Sequence, residues 1–279
     1  MTIQKRSNER PLNTVVVRMA DSFFTSDDDW FSPTDHCRGP WDPDSCHAGP
    51  PSGLIARATE RLVPDQRLVR LTVDLTRPIP FAGFRVEGVI VRAGRTVSTT
   101  ALTLVDRKGK AIVTARALHV REQSPVELPT TAWNPPELAK SGAGLFPIRE
   151  SRHPLPNFTG DGVAVRYPPG NGIAGGPTTA WMRTVPLLDD ENPSPFQRIC
   201  PLADCGNAFS RNGEPWDYTF VNPDLTIVLH RDPIGEWLGA SSVSRWEPSG
   251  IGMSDSLLFD EHGPVGRAVQ TLVITPVVR

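Results

Sequence analysis

The amino-acid sequence predicts an α+β protein built of two like units in tandem, each a helix followed by about four antiparallel strands. Three observations predict it. Two stretches repeat each other without a gap: Leu71-Thr72-Val73-Asp74-Leu75-Thr76-Arg77 reads against Leu225-Thr226-Ile227-Val228-Leu229-His230-Arg231, an offset of 225 − 71 = 154. At that offset Asp106 and Gly109 fall on Asp260 and Gly263, and Leu118 falls on Leu272. Nine identities in the 50 positions from Leu71 to Val120 are few, so the weight rests on a shared order of strand, Arg, long strand, Asp-x-x-Gly turn and strand. Each repeat also follows a helical pattern, and a proline-dense stretch from Pro125 to Pro156 parts the two. Two copies are too few for a solenoid, which leaves a fused pair of like units.

Taken in order, Val15 to Ala20 is β-rich, and Phe23 to Pro33 alternates aromatic with acidic residues. Arg38 to Pro51 is loop chemistry, full of Pro and Gly. Ser52 is read as opening the first helix, with Leu54, Ile55, Ala58 and Leu62 at helical spacing and Pro64 stopping it. Strand patterns follow over 68–75, 84–93 and 97–106, a turn at Lys108-Gly109, and a last strand over 111–120. The first unit is therefore set at residues 14–122, the linker at 123–162 and the second unit at 163–279. In the second unit 163–167 and 179–186 are strand candidates, and Ser194-Pro195 begins a helix through Ile199, Leu202, Ala203 and Phe209. Strands over 225–230, 237–246, 251–259 and 265–274 complete it. A helix ahead of a curved antiparallel sheet buries its apolar stripe in the concave face, and two such units pairing edge to edge hide one edge each.

Composition narrows the function. A formal net charge of −2 provides no basic field for nucleic acid. Four cysteines in 279 residues make no disulfide scaffold, and with no Cys-x-x-Cys pair and no second His at ligand spacing no metal site is expected. Met1 to Asn13 is polar and charged without an apolar core, and no apolar run of membrane-spanning length follows, so a cytoplasmic protein without a membrane span is expected. The Gly-rich stretch from Pro168 to Pro177 lacks a phosphate-binding motif, Ser52 lacks a nucleophile elbow, and His230-Arg231 reads as structural pairing.

The unequal positions of the repeat carry the candidate chemistry. Asp204 sits in an otherwise apolar helical run, where a carboxylate is costly unless it is hydrogen-bonded or holds something polar. The offset places Pro50 opposite it, since 204 − 154 = 50. Gln270, in the terminal strand, faces Arg116 by the same count, whereas Thr226 is matched by Thr72. Asp204, Thr226 and Gln270 are thus expected to face one cavity from three elements. A carboxylate accepts a water's proton while a hydroxyl and a carboxamide fix its direction. The electrophile would be a carbonyl in an apolar tunnel, polarised by backbone N–H groups at a helix start. Gly49 is the candidate donor and His47 a candidate substrate contact, and a thioester fits because a thiolate leaves with little acid assistance.

On these residues the chain resembles the acyl-CoA thioesterase II family, the TesB-like double hotdogs. The resemblance spans roughly Asp21 to Arg121 and Val163 to Val277. It is clearest in Asp224-Leu-Thr-Ile-Val-Leu-His-Arg231, Gly235-Glu-Trp-Leu238 and Gly266-Arg-Ala-Val-Gln270, and His47-Ala-Gly-Pro-Pro-Ser-Gly-Leu54 looks like the family's glycine-rich lead into the first helix. It implies a double hotdog fold, hydrolysis of acyl-CoA to a fatty acid and coenzyme A, and a nucleophilic water held by Asp204, Thr226 and Gln270. No metal or redox cofactor is implied. The Pro-Pro after Gly49 and the long linker depart from the family. Remaining sheet edges favour a homodimer. Two rival readings stand: a non-catalytic protein binding acyl or polyketide thioesters, and a hotdog enoyl-CoA hydratase or dehydratase. The latter needs an Asp-His pair, and no His is expected beside either helix.

Overall fold

The computed structural model of the protein describes residues 22–148 and 155–277; the expected strand over 15–20 lies outside them. In chain order the elements are β1 (Phe24–Asp27), β2 (Trp30–Pro33), α1 (Gly49–Leu62), β3 (Arg67–Asp74), β4 (Phe84–Arg92), β5 (Val97–Asp106), β6 (Ala111–Val120), β7 (Gly142–Gly144), β8 (Val163–Tyr167) and β9 (Thr178–Thr184). The second helical segment and its sheet follow as α2 (Pro195–Ala203), α3 (Gly206–Phe209), β10 (Tyr218–Val221), β11 (Asp224–Leu229), β12 (Leu238–Trp246), β13 (Ile251–Asp260) and β14 (Gly263–Pro276). The long strands fall where the apolar alternation puts them. The short β1, β2, β7 and β10 carry too few residues for such a pattern.

One sheet holds the strands in the order β1-β2-β4-β5-β6-β3-β11-β14-β13-β12-β9-β8-β7, with β10 added on β14. The halves meet where β3 pairs antiparallel with β11, and there Thr72 lies opposite Thr226 and Leu71 opposite Ile227. Equivalent residues facing each other mark a local two-fold relation, as a self-complementary interface requires. The Asp-x-x-Gly identities have a local cause. Asp106 accepts hydrogen bonds from the Lys108 and Lys110 N–H groups, Asp260 accepts one from the His262 N–H, and Gly109 and Gly263 close the two turns at φ +75° and +123°.

The gapless repeat slips by one residue after that turn. Arg116 pairs with Ala101 in the first hairpin, whereas Asp255, which the offset makes Ala101's counterpart, pairs with Val269 in the second. Arg116 faces Thr72 and Val269 faces Thr226, so the spatial counterpart of Gln270 is Ala117. A one-residue slip exchanges the faces of a strand. Arg116 is exposed on the outer face, while Ala117 and Gln270 point inward.

Both helices lie in the concavity. Helix α1 begins at Gly49, three residues before the expected Ser52, because Pro50 and Pro51 fit a first turn whose N–H groups have no helical partner. Its Leu54, Ile55 and Ala56 join Phe196, Ile199 and Leu202 of α2 in one core running through both halves, each large side chain contributing roughly 1.5–3 kcal/mol by burial. A Cβ on Gly49 would lie 2.8 Å from Pro201 Cα, so glycine is what lets α1 start against α2. Ser194 caps α2 by accepting the Gln197 N–H (3.2 Å), and Glu60 of α1 receives hydrogen bonds from Ser194 Oγ (2.8 Å) and Gln197 Nε2 (2.7 Å). That carboxylate at the start of α2 also complements its dipole. The expected second helix is broken at Asp204 and Cys205, so its last turn is the separate α3. The expected linker is partly core: β7 pairs with β8, and Phe146 and Phe158 are buried. The His230-Arg231 expectation resolves into a two-pronged pair of Arg231 with buried Asp260 at 2.6 and 2.7 Å.

Candidate active site

The break between α2 and α3 creates the site. Asp204 is the C-terminal cap of α2; its N–H bonds to Cys200 O (3.3 Å), and the Cys205 N–H bonds to Leu202 O (2.9 Å), tightening the last turn. The chain then turns away with the Asp204 carboxyl directed across the first unit's helix start. The side chain is 3% exposed. Oxygen Oδ1 accepts hydrogen bonds from Asn222 Nδ2 (2.8 Å) and Gln270 Nε2 (3.1 Å), and Oδ2 lies 3.2 Å from His47 Nδ1. Neighbouring backbone orients both carboxamides. Gln270 Oε1 accepts the Asn207 N–H (3.2 Å), and Asn222 Nδ2 also donates to Asp224 O (3.2 Å).

Burial pushes the Asp204 pKa up to about 7, and the hydrogen bonds from Asn222, Gln270 and the Gly49 N–H oppose that rise. The carboxyl is therefore poised near neutrality, where a base is both ionised and basic enough to draw a proton from water. Burial has the opposite sign on His47, whose pKa it lowers to about 3, so the imidazole is neutral at ordinary pH.

A cavity of about 410 Å³ opens on this group. Trp41, Ile79, Phe146, Ile148 and Phe220 provide apolar walls, and His47, Asp204, Asn207 and Asn222 line its polar end. Its walls come from the loop before α1, from the linker and from the approach to β11. A mostly apolar pocket with a few convergent polar groups suits an acyl chain carrying one reactive carbonyl.

The structure brings Asp204, Gln270, His47 and Gly49 together and leaves Thr226 out. Leu225, Ile227 and Leu229 face the core, so the alternation turns Thr226 to the opposite face, where its hydroxyl donates to Thr72 Oγ1 (3.2 Å). Asn222 stands at Asp204 instead. The unequal-repeat test contains its signal, because 222 − 154 = 68 places apolar Leu68 opposite it. Gly49 is also not a free donor: its N–H bonds to His47 Nδ1 (3.2 Å) and to the Asp204 carboxyl. The expectation that no His stands beside a helix is corrected. The loop carrying His47 is pinned by Cys46 N–H to Ile79 O and His47 N–H to Cys37 O (both 2.8 Å), and its ring stacks on Phe158 with centroids 4.0 Å apart. Sequence spacing offers no signal for that stack, since Phe158 lies in the linker. Among the described residues no cluster of His, Cys, Asp or Glu could hold a metal ion, and no helix is long and apolar enough to cross a membrane.

Two helices held in the concavity of one antiparallel sheet, with a buried carboxyl at the head of an apolar cavity, define a double hotdog. Solved structures share that fold. A conserved hot dog fold protein of unknown function from Alicyclobacillus acidocaldarius matches with a TM-score of 0.70 at 18% identity, over 93% of this chain and 98% of its own. An acyl-CoA thioesterase II (TesB2) from Mycobacterium marinum matches with a TM-score of 0.61 at 16% identity, over 91% and 95%. The tesB protein of Mycobacterium avium subspecies paratuberculosis gives 0.61 at 14%, over 91% and 96%. No curated protein matches the sequence. The model of the acyl-CoA thioesterase N-terminal domain matches residues 37–120, and that of the acyl-CoA thioesterase C-terminal domain matches residues 130–274. The chain belongs to the acyl-CoA thioesterase family and is a thioester hydrolase.

Proposed function

We propose that the protein hydrolyses acyl-CoA thioesters to a free acid and coenzyme A, with Asp204 as the general base. The observation that carries this reading is the division of labour on the carboxyl: Asn222 and Gln270 occupy Oδ1, leaving Oδ2 to take a proton at the polar end of the cavity. A water between Oδ2 and the substrate carbonyl attacks carbon as Oδ2 takes its proton, and the tetrahedral intermediate collapses by breaking the C–S bond. The thiolate of coenzyme A leaves, and the water-derived proton on Asp204 passes to it. Gln270 and Asn222 hold the base rather than the water, and Thr226 has no part. Steady-state turnover of acyl-CoAs of graded chain length, read by a thiol reporter, tests the reading. Hydrolysis by Asp204→Asn at the parent rate rules out this base.

A second reading is favoured by one observation, the 3.2 Å contact between His47 and Asp204. Such a pair suits addition of water across an enoyl thioester. Loss of the enoyl absorbance without thiol release would select it, and binding of acyl-CoA without either change would select a non-catalytic carrier.

A further inference from the structure

We propose that His47 is a catalytic residue that donates a hydrogen bond from Nε2 to the developing oxyanion of the thioester; this rests on the hydrolytic reading above. The start of α1 is short of donors. Pro50 and Pro51 carry no N–H, the Ser52 N–H is spent on Ala48 O (3.0 Å), and the Gly49 N–H is spent on His47 Nδ1 (3.2 Å) and the Asp204 carboxyl. A hydrolase of this kind stabilises the oxyanion with pre-set donors, and removing one typically costs about 10²–10³ in kcat. The imidazole of His47 stands where the missing donor is needed. It lines the polar end of the cavity, is clamped flat on Phe158, and meets Asp204 and the Gly49 N–H through Nδ1 alone.

That contact sets the tautomer. An Nδ1 that accepts the Gly49 N–H has a lone pair there, so the proton of the neutral ring is on Nε2, at the other edge. The reaction reinforces it. When Asp204 Oδ2 takes the proton from the attacking water it becomes an O–H group 3.2 Å from Nδ1 and donates to it. The C=O π pair moves to oxygen in the same step. The oxyanion thus appears when Nε2–H is the enforced form. On collapse the pair returns from oxygen, the C–S bond breaks, and the Asp204 proton leaves with the thiolate. No net proton passes through His47.

Two variants and two readouts test this. His47→Phe keeps a flat ring on Phe158 and removes both nitrogens, whereas His47→Gln offers an N–H close to the Nε2 position. With acyl-CoA, His47→Phe is expected to lose about 10²-fold in kcat, and His47→Gln to recover most of it. The second readout needs no turnover: a ¹³C-labelled 2-oxoalkyl-CoA, a thioether ketone that cannot be hydrolysed, is bound and its carbonyl stretch recorded by isotope-edited infrared spectroscopy. The band is expected at lower frequency on the parent and on His47→Gln than on His47→Phe. An unchanged kcat or an unmoved band in His47→Phe overturns the proposal, as does a parent that fails to bind the ketone. A parent that binds the ketone with the lowered band but releases no thiol from acyl-CoA overturns the hydrolytic reading and leaves the carbonyl contact of His47 standing.

Discussion

Replacing Asp204 by Asn should abolish turnover and, above neutral pH, stabilise the fold. The carboxyl is 3% exposed, and burial raises its pKa from 3.8 to about 7. Between those values the unfolded chain has released this proton and the folded chain keeps it, so stability falls as pH rises through the window. The difference of 7 − 3.8 is a little over three units, worth about 4 kcal/mol at about 1.36 kcal/mol per unit. Asparagine preserves the shape, accepts the Asn222 and Gln270 hydrogen bonds on its oxygen, and offers an N–H to His47 Nδ1, yet never ionises. Urea unfolding of parent and variant should therefore differ little near pH 4, diverge steadily above it, and differ by roughly 4 kcal/mol in the variant's favour at pH 8. A gap that stays constant from pH 4 to pH 8 would refute the argument, because the carboxyl would then carry no burial cost. Loss of stability in the variant at pH 8 would refute it equally.

Other consequences are more local. The activity of the parent should rise with pH through about 7, as Asp204 ionises, and a pH profile of kcat/KM reads the limb directly. Asn222→Leu removes a hydrogen bond that favours the ionised carboxyl, so the same limb should move to higher pH. Thr226→Val should leave turnover unchanged, because that hydroxyl lies on the outer face and bonds Thr72; a large loss of kcat would restore Thr226 to the site. Gly49→Ala places a Cβ 2.8 Å from Pro201 Cα, and should cost about 1–3 kcal/mol in a denaturant melt by overpacking. Arg231→Leu leaves Asp260 buried without its cation and should cost about 3–5 kcal/mol.

Most of the fold was legible because alternation and repetition are properties of the chain itself. The strands over 97–106 and 111–120 fall where their apolar pattern puts them. The gapless offset also anticipates which residues face each other across the seam, since Thr72 and Thr226 pair there. The face that Thr226 takes is legible too: Leu225-x-Ile227-x-Leu229 assigns it to the side away from the core. The slip that makes Ala117 rather than Arg116 the counterpart of Gln270 was not legible, because hairpin register is decided by pairing across strands rather than within one.

The sequence by itself determined two like α+β units, their edge-to-edge union, and an unequal second copy in which Asp204 and Gln270 stand among apolar neighbours. Tertiary structure alone decided what surrounds that carboxyl. Asn222 comes from the approach to β11, His47 from the loop before α1, and Phe158 from the linker that spacing had set aside. The physical reason is that periodicity reports which face of an element is buried, whereas a catalytic carboxyl is tuned by groups on other elements. The contact of His47 with Asp204 at 3.2 Å exists only once both units have closed on each other.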